Sequence, residues 1–388
     1  MGSKNRYLIL IILMFHFVQS GAQTDFRTSD SLTFDQYLKA EWTDLIISGN
    51  NALKSGIDYK HLRQRIGYAR FIKNDYLDAK KNFRKAYEFD KFDPFTLEYL
   101  YYSQLNLGKQ EFTGSIEKRM PPELLALLNI KKTTIIQSVE AELCFKSAST
   151  EQRSKASFNR IGLSTKAGSK LSLNQSFSYY SQYFGASDSS FQIKQPDYYL
   201  LINWNIAQNL LLRSAWHYTH TRKSGSILPG NLFLAGAGVD LNRLYVSLNT
   251  SLFRSDYLKN WQTDLSSVLY FRCKSQFYVI TTAALLKSSN TRDYFILGGG
   301  AGLRFMKNTW FELNAVSGGM RGYNDFNGLY VYNTLDKLES RLGFTLRKYY
   351  GTHLSFWANL SKEKYGFYDS NTLHFRQISF LGGIKWKI

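Results

Sequence analysis

Cysteine, acidic residues and long hydrophobic runs are all scarce in this sequence of 388 residues. Only two cysteines are present, so a single disulfide is the most that could form. The one long apolar run, Tyr7–Val18, is about twelve residues, which is too short for the ~20 residues that a membrane-spanning helix needs. The mean hydropathy of −0.31 likewise excludes a helical membrane bundle. A β-barrel is not excluded, because polar residues facing its lumen dilute the apolar ones facing lipid.

The N-terminus has the three parts of a secretory signal peptide. Lys4 and Arg6 supply positive charge, Tyr7–Val18 the apolar segment, and Ser20-Gly21-Ala22 a small-residue cleavage site. We therefore predict that residues 1–22 are a signal peptide cleaved after Ala22. The alternative, a retained membrane anchor, conflicts with the short apolar segment. No cysteine lies near the cut, which argues against a lipoprotein.

The charge balance is strongly positive, with 49 Lys and Arg against 30 Asp and Glu and a formal net charge of +19. Secretion argues against nucleic acid as the partner. Basic side chains could instead face the anionic phosphates of outer-membrane lipid or line a lumen that prefers anions. The simpler alternative is lysines scattered over solvated loops. We expect outer-membrane lipid as a partner and leave the substrate unknown.

A helical period replaces any strand pattern between residues 58 and 119, and it resembles a tetratricopeptide repeat. Small residues at Gly67, Ala79 and Ala86 allow two helices to approach closely, and Tyr76 and Phe83 fill the space between them. Gly108 follows Asn74 by 34 residues and indicates a second, degenerate copy. One helix from Phe34 to Leu53 is predicted to cap the stack. Lys91 departs from the pattern, since the repeat usually ends in proline.

We predict a helical module over residues 23–120 and a linker over residues 121–131. Repeats of this kind usually present a protein-binding face, so the resemblance implies a periplasmic or envelope protein as partner. The alternative is that the helices only pack under the next domain as a plug or pedestal.

From residue 132 to residue 388, apolar and aromatic residues recur at every second position, which indicates β-strands. We predict about fourteen strands, while twelve or sixteen also fit because residues 322–337 could be strand or loop. The predicted strands are 133–145, 156–166, 170–184, 191–206, 209–222, 231–241, 243–255, 259–272, 275–287, 293–306, 309–320, 335–348, 352–364 and 373–388. Short and long connections alternate, and residues 223–230 are one of the predicted long ones. The pattern is typical of an antiparallel outer-membrane β-barrel whose two ends face the periplasm.

The alternation also predicts which side chains face the lumen. Ten charged residues have the inward parity: Glu140, Glu142, Arg160, Arg213, Asp264, Arg304, Glu312, Glu339, Arg341 and Arg347. They could form a network that closes a narrow barrel, or rings of charge that select solutes in an open one. Fourteen strands lie between small filled barrels and wide porins, so both interpretations stay open.

The last strand resembles the C-terminal signature of outer-membrane barrels. Phe380, Ile384, Trp386 and Ile388 share the outward parity, although Ile388 stands where that signature usually has an aromatic residue.

Motifs for catalysis or cofactors are weak. The glycine-rich stretches at residues 236–238 and 298–302 lie inside predicted strands, so they do not form a phosphate loop. His217 faces inward and His220 outward, so they cannot share a metal, and no serine lies in a nucleophile motif. Cys144 and Cys273 are predicted near opposite ends of the barrel, too far apart for a disulfide. We predict no enzyme, no metal and no cofactor.

The whole arrangement resembles outer-membrane barrels that carry a periplasmic tetratricopeptide module, as in exporters of cellulose and other extracellular polysaccharides. The resemblance implies a pore or an envelope-anchored scaffold in the outer membrane, with the helical module in the periplasm. An export channel for a polysaccharide is the first alternative. An outer-membrane lipid hydrolase that depends on His217 is the second.

Overall fold

The structure is a computed structural model that describes residues 25–388 except 131–134, 186–189, 272–275, 290–292, 307, 334, 352 and 368–371. The predicted signal peptide and Cys273 fall outside the described residues. The chain divides into two compact units, between Leu107 and Gly108. This division differs from the predicted module boundary at residue 120, because residues 109–117 pack within the second unit.

The described part of the first unit consists of helices. They are α1 (Phe26–Leu38), α2 (Trp42–Lys54), α3 (Lys60–Ile72), α4 (Tyr76–Phe89) and α5 (Pro94–Asn106). α1, α3 and α5 each have 13 residues and begin 34 positions apart. The residue two positions beyond each of these helices is left-handed: φ is 56° at Ala40, 59° at Asn74 and 71° at Gly108. The same local structure therefore recurs with a period of 34 residues.

The expected single helix over residues 34–53 is wrong, because the chain turns at Ala40. The N–H of Glu41 bonds to the carbonyl of Gln36, and the N–H of Ala40 bonds to that of Tyr37. This pair of bonds is the Schellman arrangement that ends a helix. α1 and α2 are therefore two helices, and α2 begins four positions after α1 ends, as α4 does after α3.

The predicted packing residues of the helical unit lie mostly in its interior. Ala79, Phe83 and Ala86 are completely buried, and Tyr76 nearly so. A Cβ added at Gly67 would lie 3.0 Å from the Phe83 ring, so a larger residue would push α3 away from α4 by a few tenths of an ångström. Gly108 differs from this prediction: it is exposed, has nothing within 4 Å of a Cβ position, and serves as the left-handed turn after α5.

The second unit begins with three short helical segments: a 3-10 helix (Gln110–Phe112), α6 (Gly114–Glu117) and α7 (Pro122–Leu127). Sixteen strands follow in the described part of the chain. They are β1 (Ile136–Ala148), β2 (Ala156–Ala167), β3 (Leu171–Phe184), β4 (Phe191–Ala207), β5 (Leu210–Lys223), β6 (Ser226–Asp240), β7 (Leu244–Ser255), β8 (Lys259–Tyr270), β9 (Phe277–Ser288), β10 (Tyr294–Met306), β11 (Thr309–Ser317), β12 (Asn324–Asp325), β13 (Tyr330–Val331), β14 (Lys337–Tyr350), β15 (Leu354–Gly366) and β16 (His374–Lys387).

Fourteen of the described strands close into one antiparallel barrel, and β12 and β13 form a separate hairpin. The barrel closes by pairing β1 with β16, from Ser138 opposite Lys387 to Ala148 opposite Gln377. The uncertain residues 322–337 thus contribute the hairpin and no barrel strand, which confirms fourteen. The predicted long connection at residues 223–230 is in fact the two-residue turn Ser224-Gly225, with φ of 48° and 84°.

The two faces of the wall differ as a period of two requires. In β15, Ser355, Trp357 and Ser361 are buried inside, whereas Phe356 and Leu360 are exposed outside. Outward aromatic and aliphatic side chains recur around the barrel, and Phe177 is 69 % exposed. A closed wall with no free strand edge, apolar outside and polar inside, is the architecture that crosses a bacterial outer membrane. No helix among the described residues is long and apolar enough to span a membrane.

The two ends of the barrel also differ. One end, which we call the short-turn end, has the brief connections at residues 168–170, 208–209 and 241–243 together with the start of β1 and the end of β16. The opposite end, the long-loop end, has the 19-residue connection from Gly318 to Asp336 that contains β12 and β13.

Candidate functional site

The interior of the barrel is the candidate site, and a folded-in loop occupies part of it. We name the segment Gly322–Asn333 the lumen hairpin. Its tip has positive φ at Phe326, Asn327 and Gly328, and the last two values, 60° and 85°, fit the tight turn that the dipeptide Asn-Gly favours. Arg213, in the fourth position of β5 from the short-turn end, donates from Nη1 to Asn327 Oδ1 at 3.0 Å. The hairpin therefore enters at the long-loop end and reaches deep toward the other end.

Apolar packing joins the lumen hairpin to one side of the wall. Leu232, Leu234 and Phe253 are almost completely buried, and Leu329 and Val331 of the hairpin pack against the cluster that contains them. At the base of the loop, Met320 and Tyr323 are buried in a second cluster with residues of β9, β10 and β14. The first cluster packs the hairpin against the side of the lumen formed by β4–β9, which we call the filled side.

Hydrogen bonds between polar side chains fix the register of the hairpin on the filled side. Asn324 Nδ2 donates to Ser251 Oγ at 2.7 Å and to Gln262 Oε1 at 2.9 Å. Gln262 Nε2 in turn donates to the Asn324 carbonyl at 2.9 Å. All three side chains are buried, so breaking one bond would leave unpaired polar atoms away from bulk water.

His217 also holds the hairpin. Its Nδ1 lies 2.7 Å from the carbonyl of Gly328 and must donate, because a carbonyl oxygen only accepts. Its Nε2 faces Asp197 Oδ2 at 3.6 Å. Among the described residues, no hydrogen bond connects His217 to a serine hydroxyl, so the imidazole serves here as a hairpin contact.

Ion pairs connect the hairpin to the opposite side of the wall. Arg160 donates from Nε to Glu142 Oε2 and from Nη1 to Glu140 Oε1, both at 2.7 Å. Tyr330 of the hairpin donates to the same Glu142 oxygen at 2.8 Å. Arg341 donates to Asp325 at 2.8 Å and also contacts Tyr332. The sequence predicts the wall members of this network, and the hairpin supplies partners that the alternation does not reveal.

The loop is also held where it leaves the lumen. Arg153 makes a bidentate pair with Asp336, with Nε to Oδ2 at 2.6 Å and Nη2 to Oδ1 at 2.8 Å, and both residues are buried. The Arg153 guanidinium also lies over the rings of Phe184, Phe367 and Phe375, at 4.7, 4.8 and 5.8 Å. Planar bidentate pairs of this kind hold one geometry.

A second segment covers the filled side at the short-turn end. Lys109 Nζ lies 2.7 Å from Asp240 Oδ1, with both side chains at most 4 % exposed, and 4.5 Å from the Tyr270 ring centroid. The Phe112 ring packs edge-on against Tyr245. Asn205 donates to the carbonyl of Glu111 at 2.9 Å. Residues 109–112 therefore cover the filled side at the short-turn end. The hairpin fills the same side nearer the long-loop end.

A cavity of about 400 Å³ remains between the hairpin and the wall, mainly on the other side of the lumen, and it reaches Asp197 and His217 at the margin of the filled side. It follows β16 from Phe375, near the long-loop end, to Lys385, near the short-turn end. These positions are ten residues apart, or about 33 Å along a strand. We call the wall formed by β14–β16 and β1–β3 the cavity side.

Charged and aromatic groups line this cavity. Lys146 pairs with Glu363 at 2.9 Å and Lys385 with Glu140 at 3.4 Å. Arg347 lies 4.9 Å from the Trp357 ring centroid, and no carboxylate pairs with it among the described residues. Charges of both signs face the same space, so the lining combines cationic and anionic contacts.

The remaining predicted lumen charges lie in different places. Asp264 accepts from Asn249 at 2.8 Å and from Gln262 at 3.1 Å, on the filled side. Glu312 accepts from Tyr278 at 2.5 Å. Arg304 lies by the short turns, with Nη1 3.2 Å from Gln276 Oε1. The structure therefore leaves Asp264 and Arg304 apart from the cavity. The predicted charges that it brings together around the cavity are Glu140, Glu142, Arg160, Glu312, Arg341 and Arg347.

Glu339 differs from the prediction that it faces the lumen. The register shifts between Leu338 and Ser340, so Leu338 points inward and Glu339 outward. Its carboxylate pairs with Lys364 at 3.2 Å and with His374 at 3.1 Å, both exposed on the outer surface. A bulge of this kind inverts the parity of one residue, which alternation alone does not predict.

The C-terminal residues that the sequence predicts to face outward do lie on the outer surface of the barrel. Phe380, Ile384 and Trp386 in β16 and the terminal Ile388 are all exposed on the outer surface. Cys144 is a buried free cysteine with its Sγ 3.3 Å from Ser379 Oγ. No group of three His, Cys, Asp or Glu side chains able to hold a metal occurs among the described residues.

Comparison with solved structures finds outer-membrane proteins. A bacterial polysaccharide outer membrane secretin has 10 % identity and a TM-score of 0.42, covering 66 % of this chain and 99 % of its own. The CymD monoaromatic hydrocarbon channel has 9 % identity and a TM-score of 0.46, covering 68 % and 91 %. Omp33 of Acinetobacter baumannii has 9 % identity and a TM-score of 0.38, covering 66 % and 100 %.

All three TM-scores lie below 0.5, so these likenesses carry no argument about this chain. No protein-family model matches the sequence, and no curated protein matches it. The closed strand order and the apolar outer face of the wall support an outer-membrane β-barrel. The features that bear on its function lie in the lumen.

Proposed function

We propose that this protein is an outer-membrane channel whose lumen hairpin closes one side and regulates passage along the other. The supporting observation is the cavity that follows β16 from Phe375 to Lys385 beside a loop held largely by polar contacts. A barrel that served only as an anchor would gain stability from a lumen packed throughout with apolar side chains. Here the hairpin packs apolar side chains against the filled side. On the cavity side, apolar packing is concentrated near the long-loop end, around Leu338, Tyr365 and Phe375, and charged and polar side chains line much of the remaining wall.

The orientation follows from the connections. In outer-membrane barrels the short turns face the periplasm and the long loops face outward. The short-turn end also carries residues 109–112 and both ends of the barrel segment. We therefore propose that the helical unit is periplasmic and that the lumen hairpin enters from outside.

The helical unit is proposed to be a short array of tetratricopeptide repeats that binds an envelope protein. The exact 34-residue recurrence of α1, α3 and α5 supports this proposal, as does the glycine-mediated contact of α3 with α4. Because α5 ends at Asn106 and Lys109 is anchored to Asp240, only a few residues connect the array to the segment that covers the short-turn end. A partner that displaces this segment would expose the lumen from the periplasm.

Planar-bilayer conductance tests the channel. We would compare the full chain with a variant in which residues 323–332 are replaced by a short Gly-Ser linker. The expected result is small or rare current steps for the full chain and steady steps at least several-fold larger for the variant. The control is replacement of residues 185–190, which connect β3 to β4 at the same end, by a Gly-Ser linker of the same length.

Equal currents from the full chain and the hairpin variant would contradict regulation by the hairpin. Absence of current from both would leave the lumen closed without it and favour an envelope-anchored scaffold. In that case, cross-linking of the helical unit to a periplasmic protein in intact cells would be the remaining activity to find. The hydrolase alternative predicts lipid turnover that a His217→Ala substitution abolishes, although the structure uses His217 to hold Gly328.

A further inference from the structure

A groove of about 490 Å³ lies on the outer surface of the barrel, toward the long-loop end. Its floor consists of small residues in two neighbouring rows. Ser317 stands opposite Ser340 in one row, and Gly299 stands opposite Ala315 in the next. Leu297 borders the groove and is 55 % exposed. The indentation therefore interrupts an outer surface on which large apolar side chains otherwise project toward lipid.

Three cations line one end of this groove: Lys362, Lys364 and Arg376. All three are exposed, and Lys364 stands directly opposite Arg376 in the pairing of β15 with β16. Like charges in that position repel each other. Glu339 reaches Lys364 at 3.2 Å, but among the described residues no carboxylate pairs with Lys362 or with the Arg376 guanidinium. The carboxylates of the described residues therefore neutralise only part of the positive charge of this cluster.

The cluster lies near the long-loop end of the wall. β15 ends at Gly366, so Lys364 and Lys362 lie two and four residues from its long-loop end. At 3.3 Å per residue these distances are roughly 7 and 13 Å along a tilted strand. The floor residues Ala315 and Gly299 share the deeper row with Lys362, through Leu342. Cations at the interface beside an apolar groove suit a molecule with an anionic head and a hydrocarbon chain.

We propose that this groove binds a phosphorylated lipid of the outer leaflet. One acyl chain lies over Ala315 and Gly299, and a phosphate is held by Lys362, Lys364 and Arg376. Arginine and lysine suit phosphate because they donate several charge-assisted hydrogen bonds to its oxygens. The chain of the lipid fills an indentation that free phosphate would leave empty, and the phosphate relieves the repulsion between the paired cations.

Native mass spectrometry of the full-length protein in detergent, titrated with bisphosphorylated lipid A, tests this site. The variant Lys362→Ala/Lys364→Ala/Arg376→Ala is expected to bind on the order of a hundredfold more weakly, at about fivefold for each cation removed near a membrane surface. The matched control is Lys194→Ala/Arg222→Ala/Lys287→Ala, which removes three exposed cations at the same end of the barrel that do not line the groove. The control should bind within about threefold of the parent.

A second variant separates the groove from the charge. Ala315→Trp fills the floor and leaves all three cations in place, and it should weaken lipid A binding about tenfold, since it removes the space for an acyl chain. Its outward position keeps the lumen unchanged. Lipid A without its phosphates should bind the parent as weakly as the triple variant binds bisphosphorylated lipid A.

Three results would overturn the proposal. The first is equal loss of binding in the groove variant and in the control triple variant. The second is unchanged binding by Ala315→Trp combined with displacement of lipid A by inorganic phosphate, which would indicate a free-anion site. The third is equal affinity for phosphatidylglycerol, which would remove the assignment to the outer leaflet. The outer-leaflet assignment rests on the orientation proposed above, whereas the conductance of the channel is independent of all three results.

Discussion

The filled side and the cavity side of the same barrel contact the lumen hairpin through different interactions. On the filled side, Leu232 and Phe253 are buried under the lumen hairpin, and residues 109–112 cover the strand ends. On the cavity side, Arg160 and Arg341 reach the hairpin through ion pairs and leave space beside it. Apolar contact favours a single closed arrangement, whereas paired charges remain favourable when water enters. The difference teaches that a barrel of intermediate width can be closed on one side and keep a path on the other.

The largest effect is expected from removing Lys109. A Lys109→Met substitution leaves Asp240 buried without its cation, which costs about 3 kcal/mol or more of stability. We expect residues 109–117 to detach from the short-turn end, and hydrogen exchange of the peptide covering them to rise strongly. The control is Lys166→Met, which removes the cation paired with Glu117. Lys166 is more exposed than Lys109, so its loss should raise hydrogen exchange of this peptide much less. Equal protection in both variants would show that the buried pair does not hold this segment.

The next effect tests the ion pairs of the cavity side. Arg160→Met leaves Glu140 and Glu142 facing each other without a guanidinium and should lower the free energy of unfolding by ~3 kcal/mol. Urea unfolding followed by heat-modifiable migration on gels measures it. Arg347→Met removes a cation with no carboxylate partner among the described residues and should cost under about 1 kcal/mol. A larger loss of unfolding free energy for Arg347→Met than for Arg160→Met would contradict the importance of the ion pairs around Arg160.

A pair of leucines compares the two sides by the same chemical change. Leu232→Ala removes a completely buried side chain under the hairpin and should cost about 2–3 kcal/mol. Leu381→Ala, at the cavity wall, should cost under about 1 kcal/mol, because the space beside it is already open. Leu232→Ala should also increase the frequency of current steps, since it weakens the seat of the hairpin. Equal costs would mean that the two sides are packed alike.

The smallest effect is expected in the helical unit, where the partly buried pair of Tyr59 and Asp30 gives a reference. The Tyr59 hydroxyl donates to Asp30 at 2.6 Å, and this bond, aided by Arg65, holds the pKa of Asp30 below its ordinary value. A lowered carboxyl pKa stabilises the fold above the unfolded value of about 3.9, and the stabilisation is lost as the pH falls through the folded value. Tyr59→Phe should cost about 0.5 kcal/mol at pH 7 and less at pH 2.

Fluorine NMR of 5-fluorotryptophan at Trp42, which packs against Tyr37 and Tyr68 in the helical unit, would follow this change in the full chain. The signal should report unfolding at a slightly higher pH in the Tyr59→Phe variant than in the parent. An identical acid transition in the two proteins would remove Asp30 as a contributor.

Much of the wall could be predicted from the sequence because a strand's facing is a local property. Alternation places all fourteen barrel strands within a few residues, except that β6 begins five residues earlier than expected. Glu339 is misplaced because the bulge at Leu338 and Ser340 depends on the neighbouring strand. Ala40 hides a helix break, since alanine rarely adopts positive φ.

The arrangement of the lumen could not be predicted in the same way. Its decisive contacts join residues far apart in sequence, such as Tyr330 with Glu142 and Arg153 with Asp336. One signal was available: Asn327-Gly328 followed by Leu329–Tyr332 combines a hairpin turn with an apolar run that an exposed loop would leave in water. That signal indicates a buried hairpin without indicating which side of the barrel receives it.

A reversible cross-link tests the central claim most directly. Asn324 and Ser251 have side-chain atoms 2.7 Å apart, so cysteines at both positions, with Cys144 and Cys273 replaced by serine, would tie the hairpin to the filled side. Single-channel recording should show few current steps in oxidised protein and frequent, larger steps after reduction in the same bilayer. Current that is identical before and after reduction, with the disulfide verified by mass spectrometry, would contradict a channel regulated by the lumen hairpin.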